Sequence, residues 1–253
     1  DFIEETNMAD KPINIWRNKI KTCKFDCWDC GYCEKIVAAK YGDNRNKKVL
    51  AVTKELVDSV NREVNVGIPG LTSSRVQKLL NGLGNHSTTY LEIGAYLGAT
   101  GAAVLENNAL TAYFIDNWAE QIQPAKNSFN LPIGSQKEFE ENIEPYIGKN
   151  TVRVFNQDMY EVDTSQIQGV DLFFYDGPHE YEHVYKTVIR YRDCLANQAI
   201  LVFDDSNWTD TVLAANAAVK ELGLTVLYSK KILNNIESEK DWWNGIYIIV
   251  IAA

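Results

Sequence analysis

The sequence contains no apolar run approaching the ~18 residues that a membrane-spanning helix needs, so no bilayer crossing is expected. No secretory leader opens it, and it begins at Asp1 rather than Met, as a processed chain or a piece of a longer one would. Histidine is scarce: three in 253 residues leave only His86, His179 and His183 as imidazole bases. Positive charge is also short, and the formal net charge is −9. A body this acidic repels phosphate backbones, which argues against nucleic acid as the main partner. Residues 1–48 run against that trend, with ten Lys and Arg to eight Asp and Glu. The excess is too small to reverse the overall sign. Internal repeats and low-complexity tracts are absent.

Cysteine is nearly confined to one place. Four of the five stand in "CKFDCWDCGYC" as Cys23, Cys27, Cys30 and Cys33, and Cys194 stands alone. Disulfide scaffolds are short and cysteine-dense throughout, which this chain is not, so a reducing, cytoplasmic setting is expected. Four thiolates within eleven residues suit Zn²⁺ or an iron–sulfur cluster. Residues 1–48 have little apolar period of their own, and the bound metal would act as a structural staple for them. Through this segment the chain could also meet a second copy or a larger enzyme partner. A second reading makes the whole chain a catalytically silent docking module that uses the cysteine site as its contact surface.

From Val49 the pattern changes. "VLAVTKELVDSVNREV" reads as a helix, and "TSSRVQKLLNGLG" puts Val76, Leu79, Leu80 and Leu83 on one helical face. Strands and helices then alternate. The strands are "TTYLEI", "TAYFID", "TVRVF", "VDLFFYD" and "AILVFDD"; a Ser135–Glu138 capping pair opens one of the helices between them. "LTVLYS" and "GIYIIVIAA" close the chain with no helix between them. The expectation is an α/β fold with a Rossmann-like, doubly wound, mostly parallel seven-stranded sheet and an antiparallel C-terminal pair. Its boundaries divide the chain into a Cys-rich appendage at 1–48 and a ligand-binding domain at 49–253.

Ligands of such sheets sit beyond the carboxyl ends of the strands, beside the first one. There the sequence reads "YLEIGAYLGATG", with Gly94, Gly98 and Gly101. The spacing G-x-x-x-G-x-x-G is not the G-x-G-x-x-G of dinucleotide sites, and no Tyr-x-x-x-Lys pair accompanies it. Helix–strand packing alone also favours glycine. Glu92 precedes the turn, where a carboxylate would repel phosphate and welcome an ammonium group. Asp116 ends the second strand, where an acid commonly takes the two hydroxyls of a ribose. A ribose with a cationic end and no phosphate describes S-adenosylmethionine.

"YLEIGAYLGATG" resembles the first motif of class I S-adenosylmethionine-dependent methyltransferases, above all the catechol O-methyltransferase branch. "FIDNW" and "DLFFYDGPHEYEHV…AILVFDD" are similar to the branch with the macrocin-type sugar O-methyltransferases. The resemblance covers residues 71–253. It implies methyl transfer to a hydroxyl of a small molecule, such as a sugar, phenol or natural-product intermediate. N-methyl transfer on the same fold is the alternative. The donor would lie over Gly94, Ala95, Tyr96 and Gly98, with its ribose on Asp116 and its adenine near Asp158 in "FNQDMY".

Asp176 ends one strand, and Asp204 with Asp205 end the next. Carboxylates brought together at one sheet edge need neutralising, and a hard divalent cation such as Mg²⁺ does so. The resemblance implies the same: in metal-dependent O-methyltransferases, these positions hold Mg²⁺. "DDSNWTD" could equally cap the following helix. His179 follows Asp176 by three residues, and the usual imidazole pKa of ~6.5 suits proton abstraction near neutrality. The resemblance makes it the base, with His183 in reserve. Trp118, Trp208, Trp242 and Trp243 fall in loops, where they would wall an acceptor pocket or simply pack.

Overall fold

A computed structural model of the protein describes residues 44–58, 62–64, 66–119, 132–234 and 241–252. Cys23, Cys27, Cys30 and Cys33, with nearly all of the expected appendage, lie outside the described residues.

Seven strands form one sheet: β1 (Thr89–Ile93), β2 (Thr111–Asp116), β3 (Thr151–Asn156), β4 (Val170–Tyr175), β5 (Leu195–Phe203), β6 (Thr225–Ile232) and β7 (Ile246–Ala252). Their order is β3-β2-β1-β4-β5-β7-β6. The first five are parallel, whereas β7 runs antiparallel to both β5 and β6 and lies between them. The closing antiparallel pair is therefore as expected, with the last strand inserted inward of the one before it.

Burial follows position in the sheet. β7 is buried along its whole length and β1 over all but its first residue, because helices cover both faces. The edge strand β3 keeps several residues exposed. Successive residues of a strand face opposite ways, so Phe174 and Ile248 join one core cluster while Phe173 and Ile249 join the other. Two apolar layers result, one on each side of the sheet.

Six α-helices are described: α1 (Asn44–Asp58), α2 (Ser74–Gly84), α3 (Ala99–Leu105), α4 (Gln136–Ile143), α5 (Tyr181–Arg190) and α6 (Thr209–Glu221). Helix α2 starts where Ser73 accepts the Val76 N–H, and it turns Val76, Leu79, Leu80 and Leu83 fully inward. Each such leucine contributes roughly 1.5–3 kcal/mol by leaving water. Ser135 caps α4 through the Glu138 N–H, and its hydroxyl also donates to the Glu138 carboxylate at 2.7 Å. The helix expected over 49–64 instead ends at Asp58. Beyond it lie Val64, Val66, Gly67 and the Ile68–Pro69 pair, which favour an extended exit. No helix among the described residues is long and apolar enough to cross a membrane.

Candidate active site

The backbone lines up the residues of the site. At the carboxyl end of the sheet, the Gly94 N–H donates to Ile115 O, the Asp176 N–H to Ile93 O and the Asp204 N–H to Tyr175 O. Asp116, Gly94, Asp176 and Asp204 thus stand side by side on β2, β1, β4 and β5. Three strand spacings separate the outer two, about 14 Å at ~4.8 Å each. The turn after β1 sits within this row, at the point where the strand order reverses direction.

Gly94 shows why that turn is bare. Its φ is +92°, and a Cβ there would stand 2.1 Å from the carbonyl oxygen of Asp176. Only glycine lets the ends of β1 and β4 approach so closely. Gly98 (φ +88°) is held differently: a Cβ would meet Ile143 and Phe139 of α4. Of the two glycines, only Gly94 meets the main chain of the neighbouring strand end. Ala95 and Tyr96 are buried, so what they turn toward a ligand above them is chiefly backbone.

Asp116 organises the loops around it. Its Oδ2 accepts the Tyr96 N–H and its Oδ1 the Trp118 N–H, both at 2.8 Å, while the Trp118 indole N–H donates to Tyr96 O at 2.7 Å. Tyr96 and Trp118 both take left-handed backbone conformations to do this. The carboxylate still has lone pairs for two hydroxyls. Asp158 has a local task as well, its Oδ1 accepting the Tyr160 N–H at 2.8 Å.

Glu92 lies beneath the turn. The expectation was a carboxylate beside the turn that welcomes an ammonium group. In the structure its side chain is fully buried, with Oε2 accepting from the Tyr90 hydroxyl at 2.8 Å and Oε1 from Thr100. Burial pushes its pKa up to about 8; the bonds from Thr100 and Tyr90 pull it down, and the charge of Asp116 raises it. Near neutrality Glu92 is mostly an uncharged acid beneath the turn.

On the other side of Gly94 the acids meet a histidine. His179 Nε2 lies 3.0 Å from Asp205 Oδ2 and 3.8 Å from Asp176 Oδ1, and its side chain is 12% exposed. The Tyr175 and Trp208 rings both meet its imidazole edge to face. Its Nδ1 is buried and has no hydrogen-bond partner. Asp205 reaches the imidazole from a left-handed backbone (φ 52°), a conformation that aspartate tolerates better than most residues. His183 is engaged elsewhere, its Nδ1 3.0 Å from the Tyr160 hydroxyl.

Asp204 turns inward. It is 1% exposed, and its Oδ1 is buried with no hydrogen-bond partner. Burial first, and then the charge of Asp205, raises its pKa well above the usual carboxylate range. A proton or a cation would satisfy that orphan oxygen, and the donor chemistry of Asp176, Asp204 and Asp205 suits a hard ion. Yet among the described residues no group of three or more His, Cys, Asp or Glu side chains is arranged to hold a metal. Asp176 and Asp205 converge on the imidazole instead.

Two features of this site escape motif reading. One is the Asp205–His179 pair, which depends on a left-handed residue after β5. The other is the contact between Trp208 and His179, 29 residues apart in the chain. No local pattern signals either.

Residues 91–206 match the family model described as a methyltransferase domain. The matched segment runs from β1 to the loop after β5 and includes the turn, Asp116, Asp176, His179, Asp204 and Asp205. The match covers 116 of the 253 residues and carries the whole row at the sheet edge. No curated protein sequence matches the chain.

Solved structures resemble it in outline. A protein of Klebsiella pneumoniae proposed to be an O-methyltransferase aligns at 16% identity over 87% of this chain and 95% of its own, with a TM-score of 0.44. The O-methyltransferase TomG of Streptomyces achromogenes, bound to S-adenosylmethionine, aligns at 13% over 83% and 91%, with a TM-score of 0.45. The O-methyltransferase of Bacillus cereus, bound to S-adenosylhomocysteine, aligns at 11% over 88% and 97%, with a TM-score of 0.47. Likeness at this level does not extend to donor or acceptor.

Proposed function

We propose that the protein transfers a methyl group from S-adenosylmethionine to a hydroxyl of a small molecule, with Mg²⁺ dependence. The carrying observation is the row along one sheet edge: Asp116, the bare turn at Gly94, then Asp176 with His179 and Asp205. Its length, about 14 Å across three strand spacings, suits an extended nucleoside with a reactive sulfonium end.

In this reading Asp116 takes the ribose hydroxyls, the backbone over Gly94–Gly98 carries the amino-acid portion, and Asp158 lies toward the adenine. The donor supplies an electrophilic methyl group. His179 receives the acceptor's proton at Nδ1, the nitrogen left without a partner, which the acceptor must reach by opening its buried surroundings, while Asp205 holds the ring through Nε2. The oxygen then displaces the sulfur in line, so most of the catalysis comes from holding the two partners in register. Asp176, Asp204 and Asp205 are the carboxylates that would hold Mg²⁺ if Asp176 and Asp205 turned from His179 toward it, and the ion would lower the pKa of a bound hydroxyl. Cys23, Cys27, Cys30 and Cys33 would hold Zn²⁺ or an iron–sulfur cluster, which elemental analysis with a visible spectrum distinguishes.

Radiolabelled methyl transfer over a panel of phenols and sugars tests this. Turnover should stop with EDTA and return with Mg²⁺. Metal-independent transfer to an amine would select the N-methyl alternative instead.

A further inference from the structure

Trp208 is 51% exposed, although its ring lies against the largely enclosed imidazole of His179. Its ring centroid is 5.4 Å from that of His179, at 74° between planes. Single exposed tryptophans are ordinary on protein surfaces. This one differs in how firmly its backbone is held.

The loop from Asp204 to Trp208 is clasped to the segment before β7. The Ser206 N–H donates to Gly245 O at 3.2 Å and the Asn207 N–H to Asn244 O at 3.0 Å. The Asn207 side chain accepts the Asn234 N–H at 3.0 Å and donates both to Asn244 Oδ1 and to Asn234 O. The Trp208 N–H closes the turn on Asp205 O at 3.0 Å. Gly245 (φ +84°) fits this clasp tightly: a Cβ would stand 2.7 Å from Ile232 O and 2.8 Å from Asn207 Oδ1. A rigid loop therefore presents an apolar plane to solvent, next to an imidazole that Asp176 and Asp205 surround with negative charge.

We propose that Trp208 is the acceptor-stacking residue: its exposed indole takes the face of an uncharged, hydroxyl-bearing ring and sets that hydroxyl beside His179. The ring is either aryl or a sugar with its C–H face on the indole. The carboxylates around His179 disfavour an acceptor carrying phosphate or carboxylate. The inference rests on the methyl-transfer reading and adds to it the residue that holds the acceptor's ring.

Calorimetry on the full chain with Mg²⁺ separates the two claims. S-adenosylhomocysteine is titrated first; no heat with wild type overturns the methyl-transfer reading and this inference with it. Catechol and methyl glucoside are then titrated separately into the saturated protein, as the aryl and sugar arms. At least one should bind the wild type, lose roughly ten-fold in affinity in Trp208→Ala, and recover most of it in Trp208→Phe. Affinity for S-adenosylhomocysteine should be the same in all three proteins, which also shows that the variants fold. The inference is overturned if neither ring compound binds the wild type, if Trp208→Ala binds them as tightly, or if both variants lose the nucleoside too.

Discussion

His179 Nε2 and Asp205 Oδ2 lie 3.0 Å apart, although 26 residues separate them in the chain. The pairing makes Nε2 the donor to a carboxylate, while Nδ1 has no hydrogen-bond partner in the protein. An acid in this position fixes the orientation of the ring. Asp205→Asn should therefore lower kcat by at least about ten-fold, and His179→Gln by about 10²- to 10⁴-fold. Binding of S-adenosylhomocysteine should survive in both. Steady-state kinetics with calorimetry on each variant checks this; unchanged kcat in His179→Gln would remove the histidine from the mechanism.

Glu92 gives a pH signature. Its folded pKa, about 8, lies above its ordinary value. Between pH ~4.5 and 8 the folded state therefore holds a proton that the unfolded chain has lost. Stability from this group is present in full below the unfolded value and declines as pH rises, by up to a few kcal/mol at pH 8. Urea unfolding at pH 5, 6.5 and 8 should show that decline in the wild type. Glu92→Gln, which keeps the shape and cannot ionise, should make it shallower, the remainder coming from Asp204, whose pKa burial also raises. An equal slope in both proteins would place the pH dependence elsewhere.

Gly94→Ala tests the join between β1 and β4. The new methyl group would need a left-handed backbone and would stand 2.1 Å from Asp176 O. A loss of about 2–4 kcal/mol is expected, from strain combined with overpacking. The shift in urea midpoint measures it. Gly223→Ala serves as the control: φ is +64° there, but nothing lies within 4 Å of the added Cβ. It should cost about 1 kcal/mol from backbone strain alone.

The contrast between these residues shows what a sequence reveals. Strand ends were legible, because alternating elements and terminal acids fix which side of the sheet Asp116, Asp176 and Asp204 occupy. The order of β6 and β7 was legible only as an antiparallel pair, since nothing local tells the last strand to insert beside β5. The burial of Glu92 was not legible for a related reason. An acid before a glycine turn looks the same in sequence whether it faces the ligand or Thr100. The direction of a side chain depends on the pleat, and its charge depends on burial that the neighbouring helix supplies. Trp208 was legible only as one of four loop tryptophans and Asn207 not at all, because their roles depend on contacts with residues 27 or more positions away.

Titration of S-adenosylhomocysteine into the wild-type protein probes the sheet-edge assignment most directly, since every catalytic role above depends on a nucleoside lying across Gly94. The expected result is saturable heat with one molecule bound per chain, weakened at least ten-fold when Asp116 is replaced by alanine. A flat thermogram at millimolar ligand would contradict the account.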